Sequence, residues 1–232
     1  GTTPSTYSED NAPAINTTTK KWGAGSLYFD GTDGTNHGSY ELTGDFTIEF
    51  WVYPTGAGTI LGLFQETYSS AGGQLQISWA SGNKFSVHNG AGSSPHRNMT
   101  GSITCTANNW YHFALVRSSN VCRVYIDGVE DYTDNNNSSG GLYHPRSGTV
   151  GGVSSSYVLG LGNWRAGEHG TFYIDDLRIT DGVARYTSAS TDNIPTEEFA
   201  TTTTSTTSGT DIVDFNHFSV SRRTPFFPKP KT

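Results

Sequence analysis

The segment from Trp110 to Asp131, WYHFALVRSSNVCRVYIDGVED, constrains the fold most strongly, because two alternating runs flank a short polar link. A period of two is typical of β-strands, so the segment is predicted to be a β-hairpin. With Ser118-Ser119-Asn120 as the turn, the expected pairs are Val116 with Cys122, Ala114 with Val124, and His112 with Ile126. These residues predict one mostly apolar face. The other face then carries Tyr111, Phe113, Leu115 and Arg117 with Val121, Arg123, Tyr125 and Asp127. The dipeptide Asp127-Gly128 predicts a tight turn after the second strand.

Similar short runs recur along the chain. In FTIEFWVYP, apolar residues point to one side, whereas Thr47, Glu49, Trp51 and Tyr53 point to the other and Pro54 ends the strand. Further strands are predicted at 26–30, 59–64, 74–79, 84–88, 103–106, 157–164 and 171–180. Loops are predicted at 31–44, 91–100 and 132–156, and an extended segment or edge strand at 1–21. Helical periodicity is absent and the chain has 28 glycines, which together indicate an all-β sandwich or jelly roll.

Charge and cysteine content narrow the possible partners. The net charge is −7 at pH 7, and phosphate binding depends on concentrated Lys and Arg, so no nucleic-acid partner is expected. No apolar run approaches the ~20 residues of a membrane span, so no membrane association is expected. Cys105 and Cys122 are too few for a disulfide scaffold, and two buried free thiols are expected rather than one disulfide.

The composition changes at Thr201, where TTTTSTTSGT begins. This run has too little apolar content to pack, so three parts are predicted: a domain at 1–200, a linker at 201–210, and a C-terminal strand with a basic, Pro-rich arm at 211–232. Asp211 to Val220 alternates and could add to a sheet edge. The arm is interpreted either as a partner-binding anchor or as a tail without a role. Its candidate contact residues are Phe215, Phe218, Arg222, Arg223, Phe226 and Phe227.

Four segments together resemble laminin G-like members of the concanavalin A-like lectin and glucanase superfamily. They are KWGAGSLYFDGT, DFTIEFWVYP, the hairpin, and LGLGNW with GTFYIDDLRITDGVARYT. The resemblance implies a jelly-roll sandwich of two curved antiparallel sheets, with a concave face that many members use for glycans or protein partners. The segment IDDLRITDGVARYT is similar to the corresponding segment of virion structural proteins of tailed phages. Related domains open with an additional apolar strand that this chain lacks. Either the start is cleaved, or residues 211–220 fill the vacancy in this or a neighbouring subunit.

The adjacent acids Asp175 and Asp176 interrupt a strand whose apolar phase slips between Ile174 and Leu177, which predicts a β-bulge. Oxygen ligands suit Ca²⁺, and related jelly rolls often hold this ion near the equivalent strand, so Asp175, Asp176 and Asp30 are candidate ligands of a structural Ca²⁺. The alternative is that Asp175 caps loop amides or pairs with Arg178 or Arg185.

An outward row of aromatic and charged residues is the candidate ligand site, because sugars stack on rings while polar groups bind their hydroxyls. The alternative is that these residues pack beneath the 132–156 loop or against another subunit. Trp79, Trp110 and Trp164 are expected in the core. The row comprises Glu49, Trp51, Tyr53, Phe113, Arg123 and Tyr125.

Catalysis is not expected, because glucanases need several carboxylates on one strand face and no strand here has them. Two hypotheses follow. The first is a non-enzymatic virion surface protein of a tailed phage, a capsid decoration or fibre component, which contacts other virion proteins, copies of itself or host glycans. The second is a soluble or secreted carbohydrate-binding module.

Overall fold

The computed structural model describes residues 12–40, 42, 44–65, 74–90, 97–119, 121–134, 148–150, 153–155, 157–162, 169–199 and 210–215. Apart from one 3-10 turn at Thr191–Asn193, the regular structure of these described residues is entirely β. The strands are β1 (Ala14–Asn16), β2 (Ser26–Asp30), β3 (Thr35–Tyr40), β4 (Phe46–Gly56), β5 (Gly58–Gln65), β6 (Gln74–Ala80), β7 (Lys84–Gly90), β8 (Arg97–Thr100), β9 (Tyr111–Ser118), β10 (Val121–Ile126), β11 (Val129–Asp134), β12 (Gly148–Val150), β13 (Val153–Ser155), β14 (Tyr157–Leu161), β15 (Thr171–Asp181) and β16 (Thr210–Phe215). The described residues contain no helix that could cross a membrane.

Two antiparallel sheets form the sandwich, which confirms the predicted fold class. One has the order β1-β2-β15-β4-β9-β10-β11, with β16 also paired to β15, and the other has the order β3-β14-β5-β6-β7-β8. The short β12–β13 pair forms a separate ribbon. Between the two sheets lies one apolar core, in which Phe113 of β9 stacks on Phe50 of β4 and also contacts Phe85 of β7. The face of the eight-stranded sheet that points away from this core is called the outer face below.

The core also contains both cysteines as free, buried thiols, as expected. Burial raises the pKa of the Cys105 thiol to about 11, and the neighbouring Asp131 and Asp127 carboxylates add to the shift. Trp79 is buried as predicted, whereas Trp110 is only half-buried, and Trp164 lies outside the described residues.

The hairpin is present, but its predicted register was wrong by one residue. Ser118 pairs with Val121 and Val124 pairs with Leu115, so the turn contains two residues rather than three. Ser119 adopts a left-handed φ of 48° within it. Because side chains alternate along a strand, this shift exchanges the two faces of β9. Phe113 and Leu115 therefore join the core, and His112, Ala114 and Val116 lie on the outer face. The Asp127-Gly128 turn is confirmed, with φ values of 47° and 73°.

Several predicted loops contain strands instead. β3 lies within 31–44, β8 within 91–100, and β12 and β13 within 132–156. Residues 103–106, in contrast, form no strand. There the chain leaves the sheet because Asp131 Oδ1 accepts a hydrogen bond from the Ile103 amide at 2.6 Å, and Asn83 O accepts one from the Cys105 amide at 2.9 Å.

The predicted C-terminal strand fills a place in the chain's own sheet. β16 pairs antiparallel with β15, so that Phe215 lies opposite Leu177 and Val213 opposite Ile179. On the same side of β15, residues Thr171 to Ile174 pair with β2. Two strands from opposite ends of the chain therefore share one side of β15.

Candidate functional site

The outer face of the eight-stranded sheet carries most of the predicted site residues, and much of it is covered by the chain itself. The largest cover is the segment 182–199, called the covering segment below. Its Ala184 and Tyr186 pack on Ala114, Val116 and Tyr125. Backbone hydrogen bonds hold it at both ends of this contact: the Gly182 amide donates to Asp45 O at 2.7 Å, and the Ser190 amide donates to Gly128 O at 2.9 Å.

Glu49 lies at the centre of the covered area and is fully buried. Its Oε1 accepts hydrogen bonds from Arg178 Nε at 2.9 Å and Nη2 at 2.7 Å. Its Oε2 accepts one from the Tyr186 hydroxyl and lies 3.3 Å from His112 Nε2. Arg185 Nε lies 3.7 Å from Oε1. This set of four partners around one carboxylate is called the Glu49 cluster.

Charge and hydrogen bonding keep Glu49 ionised. Burial alone raises the pKa of a carboxyl group, but His112, Arg178 and Tyr186 together outweigh it and hold the pKa of Glu49 below its ordinary value. Tyr186 shows the reverse effect, because burial and the adjacent Glu49 charge raise the pKa of its hydroxyl strongly. Ion pairs and hydrogen bonds of the cluster therefore hold the covering segment on the sheet.

Trp51 is covered by a second piece of chain. Lys21 Nζ lies 3.6 Å from the centroid of the Trp51 ring, and the Trp22 ring meets it edge-on at 6.2 Å. Asp175 Oδ2 holds this piece in place by accepting hydrogen bonds from the Lys21 and Trp22 amides at 2.9 and 3.0 Å. One of the two alternatives for Asp175, that it caps loop amides, is what the structure shows.

The predicted ligand row is not an open platform. Glu49, Trp51 and Tyr125 are buried beneath other parts of the chain, and Phe113 lies in the core because of the register of β9. Arg123 is partly exposed and lies 3.7 Å from Glu130. Among the described residues, the cover consists of residues 21–22 and 182–199. Of the predicted row, only Tyr53 belongs to the exposed aromatic surface described below.

The predicted bulge is confirmed. Asp175 pairs with Trp51 and Arg178 pairs with Glu49, so two residues of β15 lie opposite one residue of β4. Asp176 has a φ of +54° and is fully buried, and both of its carboxylate oxygens accept the Phe199 amide at 3.0 and 3.2 Å. Burial, reinforced by Asp175 and Glu198, raises the pKa of Asp176 to about 7, although the Phe199 amide opposes the shift. The bulge lies where the neighbour of β15 changes from β2 to β16.

These carboxylates do not fit a Ca²⁺ site. Asp175 and Asp176 already bind backbone amides, and Asp30 lies four residues further along the paired strands, about 13 Å away. Asp30 Oδ1 instead accepts hydrogen bonds from the Thr32 amide and hydroxyl, both at 2.8 Å. Within the described ranges, no group of three or more His, Cys, Asp or Glu side chains could hold a metal ion.

An exposed row of aromatic side chains crosses the remaining part of the outer face. Tyr28, Tyr173 and Tyr53 lie directly opposite one another on β2, β15 and β4, and Trp110 extends the row just before β9. The ring centroids are separated by 4.6 Å, 5.6 Å and 5.5 Å in that order. Each of the four rings is partly exposed to solvent. These four residues are called the aromatic row.

The polar surroundings of the aromatic row lie mainly toward the ends of β2 and β15. Asp30 and Thr171 form a pair near the ends of these strands, and both are at least partly exposed. Thr55 Oγ1 donates a hydrogen bond to Thr171 O at 3.0 Å. Burial raises the pKa of the Tyr28 hydroxyl, and the neighbouring Tyr173, Asp30 and Asp33 add to this shift. Rings beside hydroxyl and carboxylate groups can bind a ligand that has both apolar faces and hydroxyls.

Sequence reasoning missed the aromatic row because its members lie on four separate segments. The strand pattern does place Tyr28, Tyr53 and Tyr173 on the face opposite the apolar residues. Their alignment into one row depends on the register between β2, β15 and β4, which no single segment encodes.

Fold and surface together define a lectin-like β-sandwich domain with a partly self-covered sheet face. The model of the Laminin_G_3 family, described as the concanavalin A-like lectin/glucanases superfamily, matches residues 29–185. The chain therefore belongs to this family. No curated protein sequence matches it.

Solved structures are similar to this chain at low sequence identity, and the first of them shows the same fold. Domain 4 of AbnA, a GH43 extracellular arabinanase from Geobacillus stearothermophilus solved in complex with arabinotriose, is 18% identical, with a TM-score of 0.53 over 77% of this chain and 83% of that one. The SAP-like pentraxin of Limulus polyphemus is 16% identical, with a TM-score of 0.42 over 60% of this chain and 65% of that one. Trypanosoma rangeli sialidase is 16% identical, with a TM-score of 0.43, and the match covers 66% of this chain but 25% of the sialidase.

Proposed function

We propose that this chain is a non-enzymatic carbohydrate-binding domain. The observation that carries the proposal is the aromatic row, in which four partly exposed rings lie side by side next to hydroxyl and carboxylate groups. Sugar rings present apolar C–H faces that pack on aromatic rings, while their hydroxyls need hydrogen-bonding partners. The structurally similar arabinanase domain was solved with an oligosaccharide, which is consistent with this use of the fold.

The state of Glu49 supports a role without catalysis. Glycoside hydrolysis needs two carboxyl groups that flank a bound sugar. Glu49, the acidic residue of FTIEFWVYP, is fully buried and both of its oxygens are engaged by side chains of the sheet and covering segment. Asp175 and Asp176 are likewise engaged with backbone amides.

Replacing the central ring of the aromatic row tests the proposal. On a glycan array, we expect the wild-type chain to bind at least one oligosaccharide and Tyr173→Ala to lose about tenfold or more in affinity, which corresponds to ~1.4 kcal/mol. Tyr173→Phe keeps the ring and should bind nearly as well. Val129→Ala alters an exposed side chain on β11, at the opposite edge of the sheet, and serves as the control. A wild-type chain that binds no glycan, or a folded Tyr173→Ala variant with full affinity, contradicts the proposal.

We further propose that the domain is displayed on a tailed-phage particle, as a capsid decoration or fibre component. The resemblance of IDDLRITDGVARYT to virion proteins supports this context, as does the basic end of an otherwise acidic chain. β16 completes the sheet, and Phe215 belongs to it. The part of the arm proposed to bind other virion proteins therefore begins at residue 216 and includes Phe218, Arg222, Arg223, Phe226 and Phe227, which lie outside the described residues.

Deleting residues 216–232 separates anchoring from folding, because β16 is kept. We expect the shortened chain to unfold at the same temperature as the full chain but to be lost from purified particles, as measured by its copy number relative to the shell protein. The control is a deletion of residues 210–232, which also removes β16 and should lower the unfolding temperature. Unchanged occupancy after the shorter deletion would overturn the anchoring role. If glycan binding persisted without particle association, the alternative of a secreted carbohydrate-binding module would be favoured.

A further inference from the structure

We propose that the aromatic row holds an extended, uncharged oligosaccharide laid across the strands, and that the Asp30 carboxylate disfavours acidic sugars at the Tyr28 end. This inference rests on the proposed carbohydrate-binding function and specifies its ligand. It is carried by the geometry of the row and by the charges on its two flanks.

The direction of the row determines the length of the ligand. The four rings follow the hydrogen-bonding direction of the sheet, so the row spans three strand separations, about 14 Å in total. A pyranose ring within an extended glycan is about as long as one strand separation, ~5 Å. The row can therefore contact about three consecutive sugar units. A single sugar would leave most of the aromatic surface unused.

The orientation of the rings also favours a chain rather than one stacked sugar. Tyr28 and Tyr173 are tilted by 31° to each other, Tyr173 and Tyr53 are nearly perpendicular at 85°, and Tyr53 and Trp110 are at 58°. The surface is therefore corrugated rather than flat. A flexible oligosaccharide whose successive units turn relative to one another matches such a surface better than a planar crystalline face does.

Asp30 fixes the charge preference at one end. It lies two residues beyond Tyr28 on β2, on the same face, and is exposed. Hydrogen bonds from the Thr32 amide and, to a lesser extent, the Thr32 hydroxyl lower the pKa of Asp30, so its carboxyl group is ionised at neutral pH. An ionised carboxylate accepts hydrogen bonds from sugar hydroxyls but repels a second carboxylate. The neighbouring Asp33, which accepts a hydrogen bond from the Asp30 amide, is buried and is also an acid, so it supplies no positive charge to offset Asp30.

On the covered side of the row, Lys21 supplies a cation that already packs on aromatic rings. The Lys21 ammonium lies over the Trp51 ring at 3.6 Å and over the Trp22 ring at 5.2 Å. Burial lowers the pKa of Lys21, although Asp127 opposes the shift. A carboxylated sugar would therefore meet Asp30 at one flank and a cation held on two indole rings at the other.

The test measures the affinity of the full chain for two sets of ligands by titration calorimetry. The neutral set contains linear arabino- and gluco-oligosaccharides of one to six units, and the acidic set contains galacturonic acid oligomers of the same lengths. For the neutral set, we expect affinity to rise about tenfold or more from one unit to three and to level off by four. The acidic oligomers should bind about fivefold more weakly than the best neutral ligand of equal length, because the Asp30 carboxylate repels a nearby ligand carboxylate even in a solvated site.

Asp30→Asn should bring the affinity for the acidic oligomers to within about twofold of the affinity for the neutral ones. Glu130 is an exposed acid at the opposite edge of the sheet, so Glu130→Gln should leave this difference in affinity unchanged. The amide oxygen introduced by Asp30→Asn can still accept the hydrogen bond from the Thr32 amide, so the turn is kept. Raising the salt concentration should also reduce the difference in affinity between neutral and acidic oligomers for the wild type.

Three outcomes would each overturn the inference while leaving carbohydrate binding in place. They are equal binding of both ligand sets by the wild type, no effect of Asp30→Asn on the difference, and an affinity that does not depend on oligosaccharide length. If the wild type bound no ligand of either set or of the array, the proposed function would itself fail.

Discussion

Glu49→Ala is expected to lower the free energy of unfolding by about 3–5 kcal/mol, because it leaves Arg178, His112 and Tyr186 around an empty, buried position. For a chain of this size, the unfolding temperature should fall on the order of 10 °C. Thermal and urea denaturation followed by circular dichroism measure the effect. Limited proteolysis should also show earlier cleavage within residues 182–199, since the cluster fastens this segment to the sheet.

Two further variants identify the cause of the Glu49→Ala effect. Glu49→Gln keeps the shape and can still accept hydrogen bonds, so its loss should be smaller but clear. Glu130→Ala removes an exposed acid 3.7 Å from Arg123 and should change stability by no more than about 0.5 kcal/mol. If Glu49→Ala reduced stability as little as Glu130→Ala, the Glu49 cluster would not hold the covering segment on the sheet.

The second large effect concerns Asp176 and pH. Its pKa of about 7 in the folded protein exceeds the ordinary value of 3.8, so the folded state holds a proton that the unfolded state has released between these values. Its contribution is therefore fully present below about pH 4 and is lost as the pH rises toward 7 and above, by up to about 4 kcal/mol. Asp175, whose pKa burial also raises, acts in the same direction. Glu49 has a lowered pKa and acts in the opposite direction, but at more acidic pH.

Asp176→Asn should therefore stabilise the protein at pH 8, by on the order of 2 kcal/mol, and this gain should shrink toward pH 4.5. The Asn oxygen can still accept the Phe199 amide, and Asn tolerates the positive φ of this position. Urea denaturation at a series of pH values measures the effect. Asp192→Asn, which removes an exposed acid from the covering segment, is the control. A gain from Asp176→Asn that did not vary with pH would show that the Asp176 carboxyl group does not cause the pH dependence.

The strands and their faces were largely predictable, because the alternation in FTIEFWVYP and GTFYIDDLRITD reports which side of each strand faces the core between the sheets. The slip of phase at Asp175-Asp176 even located the bulge. The register of the hairpin was not predictable, because Ser118-Ser119-Asn120 and Ser119-Asn120 are both acceptable turns. One residue of turn length determined whether Phe113 lay in the core or on the outer face.

The candidate site was harder to predict because it depends on contacts between distant parts of the chain. Tyr186 reaches Glu49 across 137 positions, and the covering segment has no periodicity that would mark it as packed. A signal was nevertheless present: Ala184, Tyr186 and Phe199 are apolar or aromatic residues in a stretch that is rich in Ser, Thr and acidic residues. Similarly, Tyr28, Tyr53 and Tyr173 each point outward by their strand pattern, but only the strand order brings them together.

The position of β15 has a consequence for biosynthesis. Ribosomes release this chain from its N-terminus, so β2, β4 and β9 are available before β15, and the covering segment and β16 emerge later still. Until then, Glu49 lacks Arg178, Arg185 and Tyr186, and the β15 edge that β16 later covers, from Leu177 to Asp181, stays open. A nascent chain therefore carries an open strand edge until residues 210–215 have emerged, and open strand edges can pair with other chains.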